Sequence, residues 1–279
     1  MDRTPVITLT TDFGLEDEYT AEMKGVILGR APAARIIDVT HAIAPQDVAG
    51  ASRIVDNASR YFPAGTIHVA VVDPGVGSDR LLVLAGARQQ LFLAPDNGLL
   101  SFLLGQEECA FVHAVTSAEL FLRPVSRTFH GRDILAPVAA ALANGLPPAE
   151  VGPKLDRDTL QRLPVSRGVV AENGGSIRGR VVRVDHFGNL ITDIHRDDVA
   201  FLTAEDNGPG AFSVNLAGHT ISGQAQSYAA AKPGCAVALF GSRDCLEIAV
   251  NQGNASHELG VLPGEQVILS ANRKTSLYK

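Results

Sequence analysis

The residues of this chain best suited to chemistry sit in a few short loops. Thr10-Thr11-Asp12-Phe13-Gly14 ends the first β-branched run. A carboxylate at that place, outside the end of a parallel strand, can accept hydrogen bonds from a ribose hydroxyl pair. The plainer reading is that Asp12 or Asp17 caps the helix that follows. Asp73-Pro74-Gly75-Val76-Gly77-Ser78 follows a nearly continuous apolar run, and its proline and glycines fix an unusual backbone path. The loop is shaped like an anion nest but lacks the lysine and hydroxyl residue of a P-loop. Asp73 and Arg80 bracket it and can meet as an ion pair, or the whole segment is only a turn. Thr128-Phe129-His130-Gly131-Arg132-Asp133 places a histidine beside a glycine that permits close backbone approach. Asp185-His186-Phe187-Gly188-Asn189 joins an acid, an aromatic and an amide. That set suits a planar base and a charged tail, and a hairpin turn accounts for it equally well. Ser242-Arg243 and Asn251-Gln252 offer the same choice between ligand contact and turn. The histidines show no HExxH or related spacing, so no metal site is expected.

Hydrophobic periodicity supplies the elements that hold these loops. Strand patterns at 6–10, 35–39 and 66–72 alternate with helical spacing at 19–28 and 44–58, the latter with Asp47 in its first turn. Residues 81–86 and 91–94 read as a hairpin pair, 97–104 as a helix after PDNG, and 133–144 as an Ala-rich helix ended by Gly145. This alternation predicts an α/β domain with a mostly parallel sheet. Near 155–166 the texture changes. Short strand-like runs at 176–185, 190–194, 212–216, 219–221, 236–240, 245–250 and 266–269 follow, separated by Gly and Asn turns. They predict an all-β, barrel-like second domain. The expected division is 1–165 and 166–279.

The composition bounds the function. A chain of 279 residues with 46% hydrophobic and 19% charged residues can bury a core and is not disordered. With aromatics at 5% and no Trp, that core must be aliphatic. A formal net charge of −6 argues against a nucleic-acid partner, which calls for a basic patch. No apolar run reaches the ~20 residues of a membrane span. Three cysteines without CxxC spacing, and an opening MDRTPVITLTTDFG that enters a strand at once, predict a cytoplasmic protein with reduced thiols.

TTDFG, DVTHAIAPQDV, VVDPGVGS-x-R, APDNGLL, TFHGRDILAP and VDHFGNLITDIH occur in one order along the chain. Together they resemble the S-adenosyl-L-methionine hydroxide adenosyltransferases, whose superfamily includes the fluorinase and the chlorinase. The resemblance runs from Ile7 to about Gln266. It implies an α/β N-terminal domain, a β-barrel C-terminal domain and a homotrimer with ligand held between neighbouring subunits. It also implies hydrolysis of S-adenosyl-L-methionine to adenosine and L-methionine, with no separate cofactor. Carried onto this sequence, the catalytic set falls on Asp73, Arg80 and His130. Asp12 matches the acid on the ribose hydroxyls, and Asp185 and Ser242 match contacts to the methionine part. Phe129, Phe187, Asn189 and Arg243 match positions around the ligand. The chain departs from the family at Asp193, where asparagine is usual. It departs from the fluorinase at Gln46, where that enzyme has tryptophan, and at Asp73, where it has tyrosine. A halide-using adenosyltransferase, or a binding protein without turnover, are the rival readings.

Overall fold

The computed structural model describes residues 4–104, 109–172, 174–200 and 212–271. The chain divides into two compact units, Met1–Pro164 and Val165–Lys279.

In the first unit the order is β1 (Val6–Thr11), α1 (Tyr19–Arg30), β2 (Arg35–Thr40), α2 (Val48–Ser59), β3 (Ile67–Val71), β4 (Leu82–Ala87), β5 (Gln90–Pro95), α3 (Ser101–Leu104), β6 (Cys109–Ala114) and α4 (Ala136–Ala143). The sheet runs β2-β1-β3-β5-β4-β6. Its β2, β1, β3 and β5 pair in parallel, and β4 runs antiparallel to both β5 and β6. Every residue of β3 is buried, the pattern of a central strand covered on both faces. Alternation decides which face each side chain joins. Val69 and Val71 pack with Met23 and Ile27 of α1 and Val138 of α4. Ala70 and the following Val72 pack with Ala51 and Val55 of α2 and Leu103 of α3.

Three helix expectations are corrected. The helix expected over 44–58 starts at Val48, because Asp47 is its cap and accepts the Gly50 N–H at 2.7 Å. Only Ser101–Leu104 of the segment 97–104 is helical. Asn97 Oδ1 instead accepts from Leu99 N at 3.2 Å, a side-chain turn that competes with the helix. The helix expected from 133 opens as a π-helical turn over Gly131–Leu135, closed by Ala136 N–H to the Gly131 carbonyl. Strand β6 was not anticipated.

The second unit comprises β7 (Val169–Val170), β8 (Ser176–Val184), β9 (Leu190–His195), α5 (Arg196–Ala200), β10 (Phe212–Leu216), β11 (His219–Ser222), β12 (Ala236–Phe240), β13 (Cys245–Val250), α6 (Ala255–Leu259) and β14 (Gln266–Ala271). All pairings are antiparallel, in the order β11-β10-β14-β8-β9-β13-β12, with β7 beside β8. The sheet curls until its ends approach: Ala225, just past β11, donates to Ala238 of β12 at 2.8 Å. Ile177, Val181, Leu190, Val214, Ile248 and Leu269 fill the inside of this nearly closed barrel. The short helices α5 and α6 were not expected in a domain read as all strands. Asn254 caps α6 by accepting from His257 N at 2.8 Å. Among the described residues no helix is long and apolar enough to cross a membrane.

Candidate active site

Strands β1 and β3 are neighbours, with Thr11 opposite Val71. The loops that carry Asp12 and Asp73 therefore leave the same edge of the sheet, the carboxyl ends of parallel strands. Arg80 folds back over the second loop. Its Nε lies 2.8 Å from each Asp73 carboxylate oxygen, and its Nη2 also donates to Oδ2. The two side chains are only 8% and 6% exposed. The same Nη2 lies 3.0 Å from His130 Nδ1. A guanidinium can only donate, so Nδ1 is the acceptor and the neutral ring carries its proton on Nε2. Burial, then the Arg80 charge, pulls the His130 pKa below the ordinary histidine value, partly opposed by Asp73 and Asp133.

Local structure fixes this arrangement. Ser78 Oγ donates to the Gly75 carbonyl at 2.6 Å and closes the loop on itself. Gly77 has φ +79°, and a Cβ there would stand 2.3 Å from the Arg127 carbonyl oxygen. Only glycine lets the Asp73 loop lie this close to the segment that leads into His130. His130 stands at the head of the π-helical turn, a local irregularity often found at functional sites. Asp133, inside that turn and 1% exposed, accepts from Ser126 N and Arg132 Nε, each at 2.7 Å. Arg132 also reaches Glu22 of α1 at 3.0 Å, and its guanidinium lies 5.0 Å from the centre of the Phe129 ring.

Asp12 does not cap α1, whose N-terminal residue Glu18 forms no side-chain cap. Its Oδ2 accepts from the backbone N–H of Gln46 at 2.8 Å, and Gln46 has φ +69°. Among the described residues no hydrogen bond reaches Asp12 Oδ1. Phe129 is 8% exposed and packs edge-on to Phe13 and Tyr19, with ring centres 5.6 and 5.3 Å away. It is tied into a small aromatic cluster beside His130.

The remaining sequence candidates lie in the second unit. Asp185 shapes its turn: Oδ1 accepts from Phe187 N and Asn189 N, each at 2.9 Å, and Oδ2 from Asn189 Nδ2 at 3.1 Å. Asn189 is thus the structural partner of Asp185. Phe187, at the tip, is 73% exposed. Ser242 and Arg243 are exposed in the turn between β12 and β13. Asp193, the departure from the family pattern, is buried and accepts from Ser166 Oγ at 2.6 Å and Arg180 N at 2.7 Å. It clamps the chain entering this unit.

Sequence reasoning missed two features. Asn97 Nδ2 donates to the Val72 carbonyl at 2.8 Å and holds the strand that feeds Asp73, a role its motif APDNGLL alone does not reveal. Glu247, 6% exposed, accepts from Tyr228 at 2.7 Å beside the Ser242 turn. Burial and then the Asp185 charge raise its pKa above the usual carboxylate range, partly opposed by the Tyr228 hydrogen bond and by Arg183. An acid inside the otherwise apolar run LEIAV was the available signal. Among the described residues no group of His, Cys, Asp or Glu is placed to hold a metal ion.

The geometry can be set beside known proteins. Residues 7–152 match the sequence profile described as the SAM hydroxide adenosyltransferase N-terminal domain, and 179–268 that of the C-terminal domain. The (R)-S-adenosyl-L-methionine hydrolase of Salinispora arenicola is 37% identical, the alignment covering 97% of this chain and all of that one. That of Thermus thermophilus is 39% identical, over 95% of this chain and 99% of the relative. The crystal structure of an uncharacterized conserved protein from Thermotoga maritima superposes with a TM-score of 0.86 at 36% identity, covering 95% and 99% of the two chains. The chain belongs to the SAM hydroxide adenosyltransferase family.

Proposed function

We propose that this protein hydrolyses S-adenosyl-L-methionine to adenosine and L-methionine. Water attacks the ribose 5′ carbon, its oxygen forms the new carbon–oxygen bond, and the carbon–sulfur pair leaves with sulfur. The sulfonium departs as a neutral thioether, so the leaving group needs no acid. The difficulty lies in the nucleophile, since water at neutral pH is a poor one. The observation that carries the reading is the contact of Arg80 with both Asp73 and His130, in a chain of this family.

Roles follow from the donors and acceptors. The Nδ1 lone pair of neutral His130 is engaged by Arg80, so Nε2–H orients the water oxygen as a donor. Arg80 supplies positive charge that stabilises developing hydroxide. Asp73 is the acceptor in the set and takes the water's proton. Hydroxide and sulfonium have opposite charges, and a dry site strengthens their attraction. Holding the water in line with the carbon–sulfur bond adds an entropic share. In this reading Asp12 grips the ribose hydroxyls, Asp185 and Ser242 meet the methionine end, and Phe129, Phe187, Asn189 and Arg243 form the ligand's surroundings.

The active form is a homotrimer, each site completed by the second unit of a neighbouring copy. Phe187, an aromatic left 73% exposed on a turn, supports this. Small-molecule substrate, no nucleic-acid or membrane partner, no added cofactor and a cytoplasmic location complete the reading. The carboxylate of Asp73 disfavours a halide as nucleophile by repelling an anion at that place. The test is incubation of the purified, metal-free protein with S-adenosyl-L-methionine. Equimolar adenosine and methionine are expected. No turnover with retained binding would leave a binding protein, and a halogenated nucleoside made with chloride present would replace this reaction with halide transfer.

A further inference from the structure

The motif DVTHAIAPQDV carries a histidine that the proposed reaction leaves unused. His41 is 3% exposed and lies between two loops of the site. Its Nδ1 is 2.9 Å from Thr11 Oγ1, and Nε2 approaches Asp38 Oδ1 at 3.1 Å, an electrostatic contact without the alignment of a hydrogen bond. Lys24 of α1 holds the other Asp38 oxygen at 2.5 Å. Thr11 Oγ1 in turn accepts from Phe13 N at 3.3 Å, and Gly14 N donates to the His41 carbonyl at 2.8 Å.

These contacts form one chain. Thr11 Oγ1 accepts from Phe13 N–H and shares a hydrogen bond with His41 Nδ1, while His41 Nε2 faces Asp38. A hydroxyl, an imidazole and a carboxylate in a row also describe a hydrolytic triad, but Thr11 is 0% exposed and no substrate can reach it. The row is a strut instead. Its attachments fall on both sides of Asp12, the residue between Thr11 and Phe13. The third tie between the same two loops is Asp12 Oδ2 with Gln46 N, across a backbone that Gln46 holds at φ +69°. A carboxylate must be held within a few tenths of an ångström to grip a diol.

We propose that His41, braced by Asp38, is a positioning residue that sets Asp12 for the 2′ and 3′ hydroxyls of the ligand ribose. This deepens the proposed function and rests on its reading of Asp12. Burial tends to raise the Asp38 pKa, but the nearby Lys24 and His41 outweigh it and leave Asp38 below the usual carboxylate range, in keeping with an ionised brace.

The test compares adenosine with 2′,3′-dideoxyadenosine by calorimetry on the full chain. His41→Phe keeps the ring and removes both polar ends. It is expected to weaken adenosine binding about tenfold and to leave dideoxyadenosine binding within about twofold. Asp38→Asn, at a more exposed position that folds without a buried change, is expected to show the same selectivity at smaller size. Equal losses for both ligands would make His41 merely structural, and no loss for adenosine in either variant would also overturn the proposal. Asp12→Asn separates the two ideas. If it loses the preference for the diol while the His41 and Asp38 variants keep it, the strut alone is wrong. If Asp12→Asn keeps the preference, the Asp12 reading falls and the strut with it, and hydrolysis stands on its own product assay.

Discussion

Replacing Asp73 with Asn isolates the charge pair at the centre of the account. Arg80 and Asp73 are both under a tenth exposed and joined through Nε and Nη2. Removing one partner of a buried pair leaves the other charge without compensation, at a cost of about 3–5 kcal/mol. Here Gly77, Ser78 and Asp79 beside the pair are exposed, so water reaches the loop, and Asn keeps one oxygen as acceptor. The loss in Asp73→Asn should therefore fall at the low end, about 3 kcal/mol. Urea unfolding of the full chain measures it as a lower midpoint at unchanged slope. The double variant Asp73→Asn with Arg80→Met removes both charges and should be more stable than Asp73→Asn alone. The His130 resonances give a second readout. Without Asp73 its pKa should fall further, and in Arg80→Met alone it should rise, because Arg80 lowers it and Asp73 raises it. An Asp73→Asn protein within about 0.5 kcal/mol of the parent, or a double variant as unstable as the sum of the singles, would refute the reasoning.

Turnover in His130→Ala and in Arg80→Ala should fall on the order of 10²–10⁴-fold with ligand affinity nearly intact. The two losses combined should be smaller than their sum, since both act on one water, and strictly additive losses would break up the set. His68 is 3% exposed with its pKa lowered to about 4, by burial first and then the Arg88 charge. Its contribution to stability is present above pH ~6.5 and lost as the pH falls through about 4, a term of roughly 3 kcal/mol. A His68→Gln variant should show a flatter stability curve between those pH values, and an unchanged slope would contradict this. Gly188 has φ +86°, and a Cβ there would lie 2.2 Å from Asn254 Cγ. Gly188→Ala should distort the Asp185 turn and weaken binding of S-adenosyl-L-methionine, measured by calorimetry, while parent-like affinity would count against that turn as a ligand contact.

The fold class was readable because its signals are local. Strands such as IHVAV show as a continuous apolar run, and α1 as the buried spacing of Thr20, Met23 and Ile27, all within consecutive residues. The loops were readable because Pro and Gly mark backbone paths that few other residues adopt, as the +79° φ of Gly77 illustrates. What escaped was decided by contacts distant in sequence. Asn97 reads as a helix start until Val72, 25 residues away, is seen to take its amide. Asp12 reads as a helix cap until Gln46, 34 residues on, supplies its donor. Strand β6 owes its pairing to β4 rather than to a strong alternation of its own. Asp193, an unexplained departure from the family pattern at first reading, is accounted for by Ser166 and Arg180, which no short window contains.

The central claim is that water, prepared by Asp73, Arg80 and His130, attacks the ribose 5′ carbon. Turnover of S-adenosyl-L-methionine in oxygen-18 water, with mass analysis of the adenosine fragments, tests it most directly. The account predicts one heavy oxygen in the adenosine 5′ hydroxyl and none in methionine. Unlabelled adenosine, or heavy oxygen recovered in the amino-acid product, would contradict it.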